Sequence, residues 1–256
     1  MVKIASFNVN SIKVRLPNLL VWLEEAAPDI VVLQEIKCEE PAFPALELQA
    51  AGYHSVVLGQ KTYNGVAILS RQPAEDVLRG LPGDDGDTQA RYLEATVAGI
   101  RVAAIYLPNG NPAPGEKFDY KLAWMDRLNA RARLLLETEM PVVLAGDYNV
   151  IPEPRDAYDA AAWEGDALFR PESRRRFRAL LNLGYTDAFR AIHPERIAWT
   201  FWDYQAGRWP RDEGIRIDHL LLSPQAADRL EDAGIDKAPR GREKASDHTP
   251  IWCRLR

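Results

Sequence analysis

Short apolar runs rich in β-branched residues recur along the whole chain, and they constrain its fold more than any other feature. Val2–Phe7, Asp29–Leu33, His54–Leu58, Gly65–Leu69, Tyr92–Val97, Arg101–Leu107, Val142–Ala145, Ile215–Leu222 and Thr249–Leu255 each have strand length and are flanked by Gly, Pro, Asn or Asp. Helical spacing separates only some of them. Leu16, Leu19, Leu20, Leu23 and Ala27 share one helical face, which Pro28 ends. Phe118, Leu122, Met125, Leu128 and Leu135 predict a longer helix over Glu116–Glu137, stopped by Pro141. Arg174–Leu183 predicts a third, with Gly184 as its C-terminal stop. Crossover helices in some places and direct strand-to-strand connections in others predict a mixed-sheet α/β architecture rather than a closed parallel barrel. No repeat, low-complexity tract or long linker divides the 256 residues, so one domain is expected over 1–256.

Composition narrows the class without deciding it. With 46% hydrophobic residues and a formal net charge of -5, the chain is neither disordered nor collagen-like. Two cysteines are too few for a disulfide framework and suit a reducing compartment. No apolar run approaches the roughly 20 residues that cross a bilayer, and Met1–Phe7 reads as a strand rather than a signal peptide. A cytoplasmic protein with no membrane partner is the expectation. Net acidity argues mildly against nucleic acid, because phosphate contacts need Lys and Arg. Two basic clusters (Arg174, Arg175, Arg176 and Arg178; Lys237, Arg240, Arg242 and Lys244) run against that sum. By themselves they read as solvated faces.

The residues that end the strands carry more information. The first run closes with Asn8-Val9-Asn10, the second with Gln34-Glu35 and then Lys37. Ala103-Ala104-Ile105 closes with Tyr106-Leu107-Pro108-Asn109, and Val142–Ala145 with Gly146-Asp147-Tyr148-Asn149. Ligands of α/β sheets sit at the carboxyl ends of parallel strands, so these ends could converge on one crevice. Arg216-Ile217-Asp218-His219 and Ser246-Asp247-His248 add acids near two further strands. A buried Asp needs a partner, and His248 is a natural one, since a carboxylate on one ring nitrogen fixes the orientation of the other. Taken singly, each Asp or Asn at a strand end is ordinarily a turn former, and Tyr106 a core aromatic with a bonded tip. The joint pattern is what counts. His54 and His193 are assigned no role, and His219 is left open.

Asp, Glu, Asn and His without a cysteine cluster are hard, oxygen-rich donors that suit magnesium or manganese rather than structural zinc. Such a set serves phosphoester hydrolysis. A metal offsets developing charge, an Asp can align and deprotonate water, Asn and His can donate to phosphorane oxygens, and a phenol could stabilise or protonate the leaving oxygen.

In order along the chain stand Phe7-Asn8, Leu33-Gln34-Glu35 with Lys37, Tyr106-x-Pro108-Asn109, Gly146-Asp147-x-Asn149, Phe201-Trp202-x-Tyr204, Arg216-Ile217-Asp218 and Ser246-Asp247-His248. This series resembles the exonuclease III / apurinic-apyrimidinic endonuclease family of DNA-repair nucleases, and its bacterial exonuclease III branch in particular. The resemblance covers essentially the whole chain. It implies a four-layered α/β sandwich, two packed mixed sheets flanked by helices, with the site at one edge. It implies Glu35 as the main metal ligand, with Asn8, Asp247 and Asn10 nearby and Asp147, Asn149 and His248 around it. Asp147 positions or deprotonates the water, Asn149 and His248 stabilise the transition state, Asp218 orients His248, and Tyr106 acts at the phosphate or leaving group. On the DNA side it implies Asn109; charge, and not the resemblance, adds Arg91 and Lys37 as further contacts. Phe201, Trp202 and Ile215 line an apolar pocket for the sugar of a flipped-out abasic site. Some relatives have Trp where this chain has Ile215. Trp209 could stand in for it or could simply be packing. Asn10 is Asp in some relatives, which leaves one carboxylate fewer here.

The implied function is a magnesium-dependent phosphodiesterase, with manganese as the alternative metal. It acts as a monomer on double-stranded DNA, cutting 5′ to abasic sites and trimming 3′ ends. A phosphatase of the same superfamily acting on inositol phosphates or lipid head groups would share the Glu, Asp-x-Asn and Ser-Asp-His blocks. The Tyr106-x-Pro-Asn and Phe-Trp-x-Tyr blocks speak against it. Deoxyribonuclease-I-like enzymes usually place a second His where the Tyr106 segment lies, and this chain has none. A DNA-binding module without chemistry should have lost Glu35, Asp147 or His248, and all three are present.

Overall fold

The computed structural model describes residues 1–256. In chain order the elements are β1 (Val2–Asn8), α1 (Ile12–Ala26), β2 (Ile30–Gln34), α2 (Ala45–Ala50), β3 (His54–Leu58), β4 (Val66–Ser70), β5 (Glu75–Arg79), β6 (Tyr92–Val97) and β7 (Ile100–Tyr106). There follow α3 (Glu116–Leu136), β8 (Val142–Asp147), α4 (Pro171–Leu183), β9 (Thr186–Asp187), α5 (Ala188–Ile192), β10 (Asp218–Leu222), α6 (Pro224–Ala227), β11 (Leu230–Ile235) and β12 (Ile251–Leu255). They form two six-stranded sheets, ordered β11-β12-β1-β2-β4-β3 and β5-β6-β7-β8-β10-β9. Each sheet is antiparallel except for one central parallel pair, β1 with β2 and β7 with β8. Parallel neighbours need a crossover, supplied by α1 in the first sheet and α3 in the second.

Alternation along the strands builds the layers. Ile4, Ile30, Val32, Ile68, Val102, Ala104, Val143, Ala145, Leu220 and Cys253 face inward and form the core between the sheets. Their neighbours Ala5, Val31, Leu33 and Leu69 face outward and bury Leu19, Trp22 and Leu23 of α1. Ala103, Ile105, Val142 and Leu144 do the same for Trp124, Met125 and Leu128 of α3 and Phe177 and Leu180 of α4. A period of two thus feeds both faces of each sheet, giving the expected helix–sheet–sheet–helix sandwich. No helix is long and apolar enough to cross a membrane.

Three strands lacked an apolar signature in the sequence: β5, β9 and β11. All three lie at sheet edges, where one side meets solvent and polar residues are tolerated. The run expected over Ile215–Leu222 becomes a strand only at Asp218; Ile215 instead bridges Phe201 and Ala157. Helix α4 begins three residues earlier than expected, with Pro171 in its first turn.

Candidate active site

The two parallel pairs deliver their carboxyl ends to the same edge of the sandwich. Asn8 ends β1, Glu35 follows β2, Tyr106 ends β7 and Asp147 ends β8. Asp218 opens β10 in register with Asp147, and His248 precedes β12. Gly146 is required by this packing, since a Cβ there would lie 2.0 Å from the Ile105 carbonyl oxygen.

The Asn8 side chain links the two sheets. Its amide nitrogen donates to Glu35 Oε1 and to Asp147 Oδ2, each at 2.9 Å, while its oxygen accepts from the Asn10 backbone N–H at 3.0 Å. The Asn10 contact fixes which end of the amide faces the carboxylates. The Asn8 amide, expected among the metal ligands, here donates to two carboxylates and orients them. Asn10 Nδ2 in turn donates to Asp247 Oδ1 at 3.0 Å. Glu35 forms an ion pair with Lys37 at 2.9 Å, and Lys37 also donates to Asn10 Oδ1 at 2.5 Å. Lys37, expected at the DNA, is engaged at the rim of the acidic cluster. Burial works against a charged Glu35, but the Asn8 amide and the Lys37 ammonium hold its carboxyl below the usual range.

On the other side, His248 Nδ1 lies 2.8 Å from Asp218 Oδ2, and its Nε2 lies 3.7 Å from Asp147 Oδ2. Burial disfavours the imidazolium, yet the Asp218 and Asp147 carboxylates outweigh it and raise its pKa to about 10. The second face of Asp218 carries a buried oxygen, Oδ1, with no hydrogen-bond partner. Asp147 is pushed up to about 7, first by burial and then by the Asp218 and Glu35 carboxylates, with His248 opposing. Its Oδ1 accepts from the Asn149 N–H at 2.9 Å. Asn149, in the left-handed region at φ 47°, donates from Nδ2 to the Leu107 carbonyl at 2.9 Å and accepts from Asn109 Nδ2 at 3.3 Å. Burial, with Glu35 and Asp147 adding to it, drives the Tyr106 phenol well above its usual range. Arg91 stacks over the Tyr106 ring at 4.7 Å.

Ligand atoms of Glu35, Asp147 and His248 all lie within 4.8 Å of one another. Two carboxylates and an imidazole at that spacing could hold one metal ion, and their donor chemistry suits a hard cation better than a soft one.

These groups floor a cleft of about 290 Å³, together with Asn109, Asn111, Asp203 and Asp247. Its apolar wall is Trp163, Leu168, Phe201 and Ile217. Phe201 was expected there, and its ring meets His248 edge-on at 5.0 Å. Trp202 was expected beside it but points to the opposite side, as successive residues of extended chain do. There it donates to Asp212 and packs edge-on against Trp209 at 5.0 Å. Trp209 is held by Arg240 and Lys237 in that separate cluster, so it does not stand in for the pocket wall. Ile215 lies behind Phe201, lining a neighbouring cavity of about 310 Å³. Trp163 takes the wall position instead, from a short 3-10 turn between β8 and α4. A Trp after Ala160-Ala161-Ala162, outside the predicted strands and helices, was the only signal for it.

His219, left open in the sequence, faces away from the cleft. It lies 3.0 Å from Arg216 and 3.1 Å from the Val150 carbonyl, packed against Tyr148 and Phe177. The basic clusters are largely engaged within the protein. Arg176 pairs with Asp126, Lys237 with Asp212 and Arg242 with Glu25, while Arg174 donates to the Pro152 carbonyl and Arg240 to that of Trp202.

Residues 5–248 match the Endonuclease/Exonuclease/phosphatase family. The chain is 33% identical over 268 residues to exodeoxyribonuclease III of Haemophilus influenzae, covering 99% of this chain and 100% of that protein. An AP endonuclease from Archaeoglobus fulgidus superposes with a TM-score of 0.96 at 40% identity, covering 100% of this chain and 99% of that one. The 3′ phosphatase NExo from Neisseria, bound to a product DNA hairpin, superposes with a TM-score of 0.97 at 42% identity and covers 100% of both chains. With its two packed sheets and its strand-end carboxylates, the chain belongs to the Endonuclease/Exonuclease/phosphatase family, in the exonuclease III / AP endonuclease branch.

Proposed function

We propose that this protein is a metal-dependent DNA-repair phosphodiesterase that cleaves duplex DNA 5′ to abasic sites and removes nucleotides or blocking groups from 3′ ends. The observation that carries this reading is one cleft holding Asp147, pushed to about 7, between Glu35 and the His248–Asp218 pair, beneath an apolar wall. Relatives named for both activities support it.

Glu35, with Asp147 beside it and Asp247 lining the same cleft, would hold a magnesium ion, or manganese in its place, which when bound offsets the charge that builds on the phosphate. Asp147 takes the proton of the attacking water; a carboxylate poised near neutrality suits that work. His248, held by Asp218 through Nδ1, presents Nε2–H to the cleft as a donor to a phosphate oxygen. Asn149, held by Leu107 and Asn109, adds a second fixed donor, and donors already in place need no reorganisation as charge develops. Tyr106 remains a protonated phenol, able to give its proton to the leaving 3′ oxygen. Trp163, Leu168, Phe201 and Ile217 would take the sugar of a nucleotide turned out of the stack, a movement easiest where no base is present. Asn109 lines the cleft for the DNA backbone, and Arg91 flanks it, stacked over the Tyr106 ring. All these groups come from one chain, as a monomer requires, and the buried, unpaired Cys38 and Cys253 fit a cytoplasmic setting.

The test is a labelled duplex with one tetrahydrofuran abasic analogue, which cannot undergo β-elimination. A single magnesium-dependent cut on its 5′ side, abolished by EDTA and by Asp147→Asn, is expected. Laddering from the 3′ end alone would reduce the activity to an exonuclease. No cleavage would overturn the DNA reading in favour of a small phosphoester substrate.

A further inference from the structure

Lys121 of α3 is fully buried, and none of the groups assigned so far uses it. Its Nζ donates to the Asn109 carbonyl at 3.0 Å and to the Asn149 carbonyl at 2.5 Å. Those two residues stand in the segments that leave β7 and β8, and their side chains meet at 3.3 Å on the cleft floor. The connection between them is otherwise thin: Asn149 Nδ2 to the Leu107 carbonyl, and the Leu107 N–H to the Asp147 carbonyl at 2.9 Å. The chain makes room for the lysine stem. Gly110 sits at φ 90°, and a Cβ there would lie 2.6 Å from Lys121 Cδ.

We infer that Lys121 is a positioning residue for phosphodiester cleavage: it clamps the backbones of Asn109 and Asn149 from beneath and so sets where the Asn149 amide points. The inference rests on the function proposed above. Both hydrogen bonds need only two N–H groups, which the charged and the neutral amine alike possess, so the clamp does not depend on the protonation state of Lys121. Asn149 already occupies the left-handed region, where a non-glycine backbone is held by its surroundings rather than by preference. Without the lysine its carbonyl would be buried and unpaired, and the turn would relax toward another partner. A donor displaced by an ångström loses about 10²-fold in rate, whereas Asn109, which shares the clamp, is one of several groups that bind the DNA in the ground state. The expected signature is therefore a fall in kcat with KM nearly constant.

The experiment uses Lys121→Met, which keeps length and volume, on the tetrahydrofuran duplex in single-turnover and steady-state assays, alone and combined with Asn149→Ala. Wild type and Asp147→Asn run in parallel; loss of cutting in wild type would refute the functional reading itself, independently of Lys121. Lys121→Met should lower kcat by about 10²-fold, with KM changed less than about threefold. In the Asn149→Ala background the same substitution should change the rate by less than about threefold, since residues acting through one group do not add. A merely structural lysine would give equal losses in both backgrounds, and that result would overturn the inference, as would an unchanged kcat. Should Lys121→Met fail to fold, Gly110→Ala displaces the same amine while retaining it. A kcat loss confined to the background with Asn149 supports the clamp, and an additive or absent loss refutes it.

Discussion

The two crossover units of this protein, β1-α1-β2 and β7-α3-β8, share one topology and deliver their strand ends to one cleft, yet they hold those ends differently. The first presents a buried Asn8 and, on a rim that reaches solvent, Glu35, which is held by a partly exposed Lys37 that also reaches Asn10. The second presents Asp147 and Asn149 in the interior, tied from below by Lys121 and faced by the buried His248–Asp218 pair. Helix α1 offers no counterpart of Lys121. The contrast teaches a division of labour. An open, replaceable ion pair suits a group that would take up a metal in the proposed reaction, whereas proton transfer and charge stabilisation require groups held dry and still.

The largest effect should follow from the dry side. Asp147→Asn keeps the shape and the Asn149 contact but removes the base, so kcat on the tetrahydrofuran duplex should fall by about 10³-fold or more. A loss below tenfold would move proton transfer to another group and erase the distinction between the halves. Stability should follow pH through the same half. Burial, together with Arg216, holds His219 down at about 4, while an unfolded imidazole titrates near 6.5. Between those values the unfolded chain binds the extra proton. His219 thus contributes full stability above about pH 6.5, and that contribution is lost as pH falls toward 4. Because the raised Asp147 contributes with the opposite sign over the same window, the readout is the difference between wild type and His219→Gln in urea unfolding, which should shrink by about 3 kcal/mol from pH 7.5 to 4. A difference independent of pH would show that the buried histidine does not titrate on unfolding.

The apolar wall is a smaller lever. Trp163→Ala removes the indole that closes the pocket, and the cut at the abasic analogue should lose about tenfold in kcat/KM, in the range of a pocket that loses packing. Removal of a 3′-terminal phosphate, which asks less of the sugar pocket, should change less. Equal losses on both substrates would make Trp163 a scaffold residue. The smallest change belongs to the open side. An exposed ion pair is worth about 1 kcal/mol or less, so Lys37→Met should tighten magnesium binding by up to about fivefold in calorimetry. Weaker binding would mean that Lys37 builds the metal site rather than competing for it.

Much of this site was legible in the chain because its chemistry is written where strands stop. A strand end is a local pattern, and Asn8, Glu35, Tyr106, Asp147, Asn149, Asp218 and His248 each follow from apolar runs, breakers and a polar residue at the boundary. The buried central strands were readable for the same reason, and the edge strands β5, β9 and β11 were not, since half their surface meets water. The pocket was read less well. Phe201 and Trp202 look equivalent in sequence, but extended backbone sends them to opposite sides, and only the packing decides which side is the cleft.

What the sequence alone determined is therefore the mixed-sheet α/β class and the polar residues that end the strands, because those depend on periodicity and boundaries that neighbours along the chain dictate; the family and the sandwich followed from the resemblance of its ordered motif blocks. What only the tertiary structure decided is how these groups are held: Trp163 rather than Trp202, Trp209 or Ile215 at the wall, Lys37 paired with Glu35, the amide of Asn8 turned to donate, and Lys121 beneath the floor. Each of these depends on contacts between segments tens to hundreds of residues apart, whose meeting is set by the packing of two sheets and carries no local periodicity.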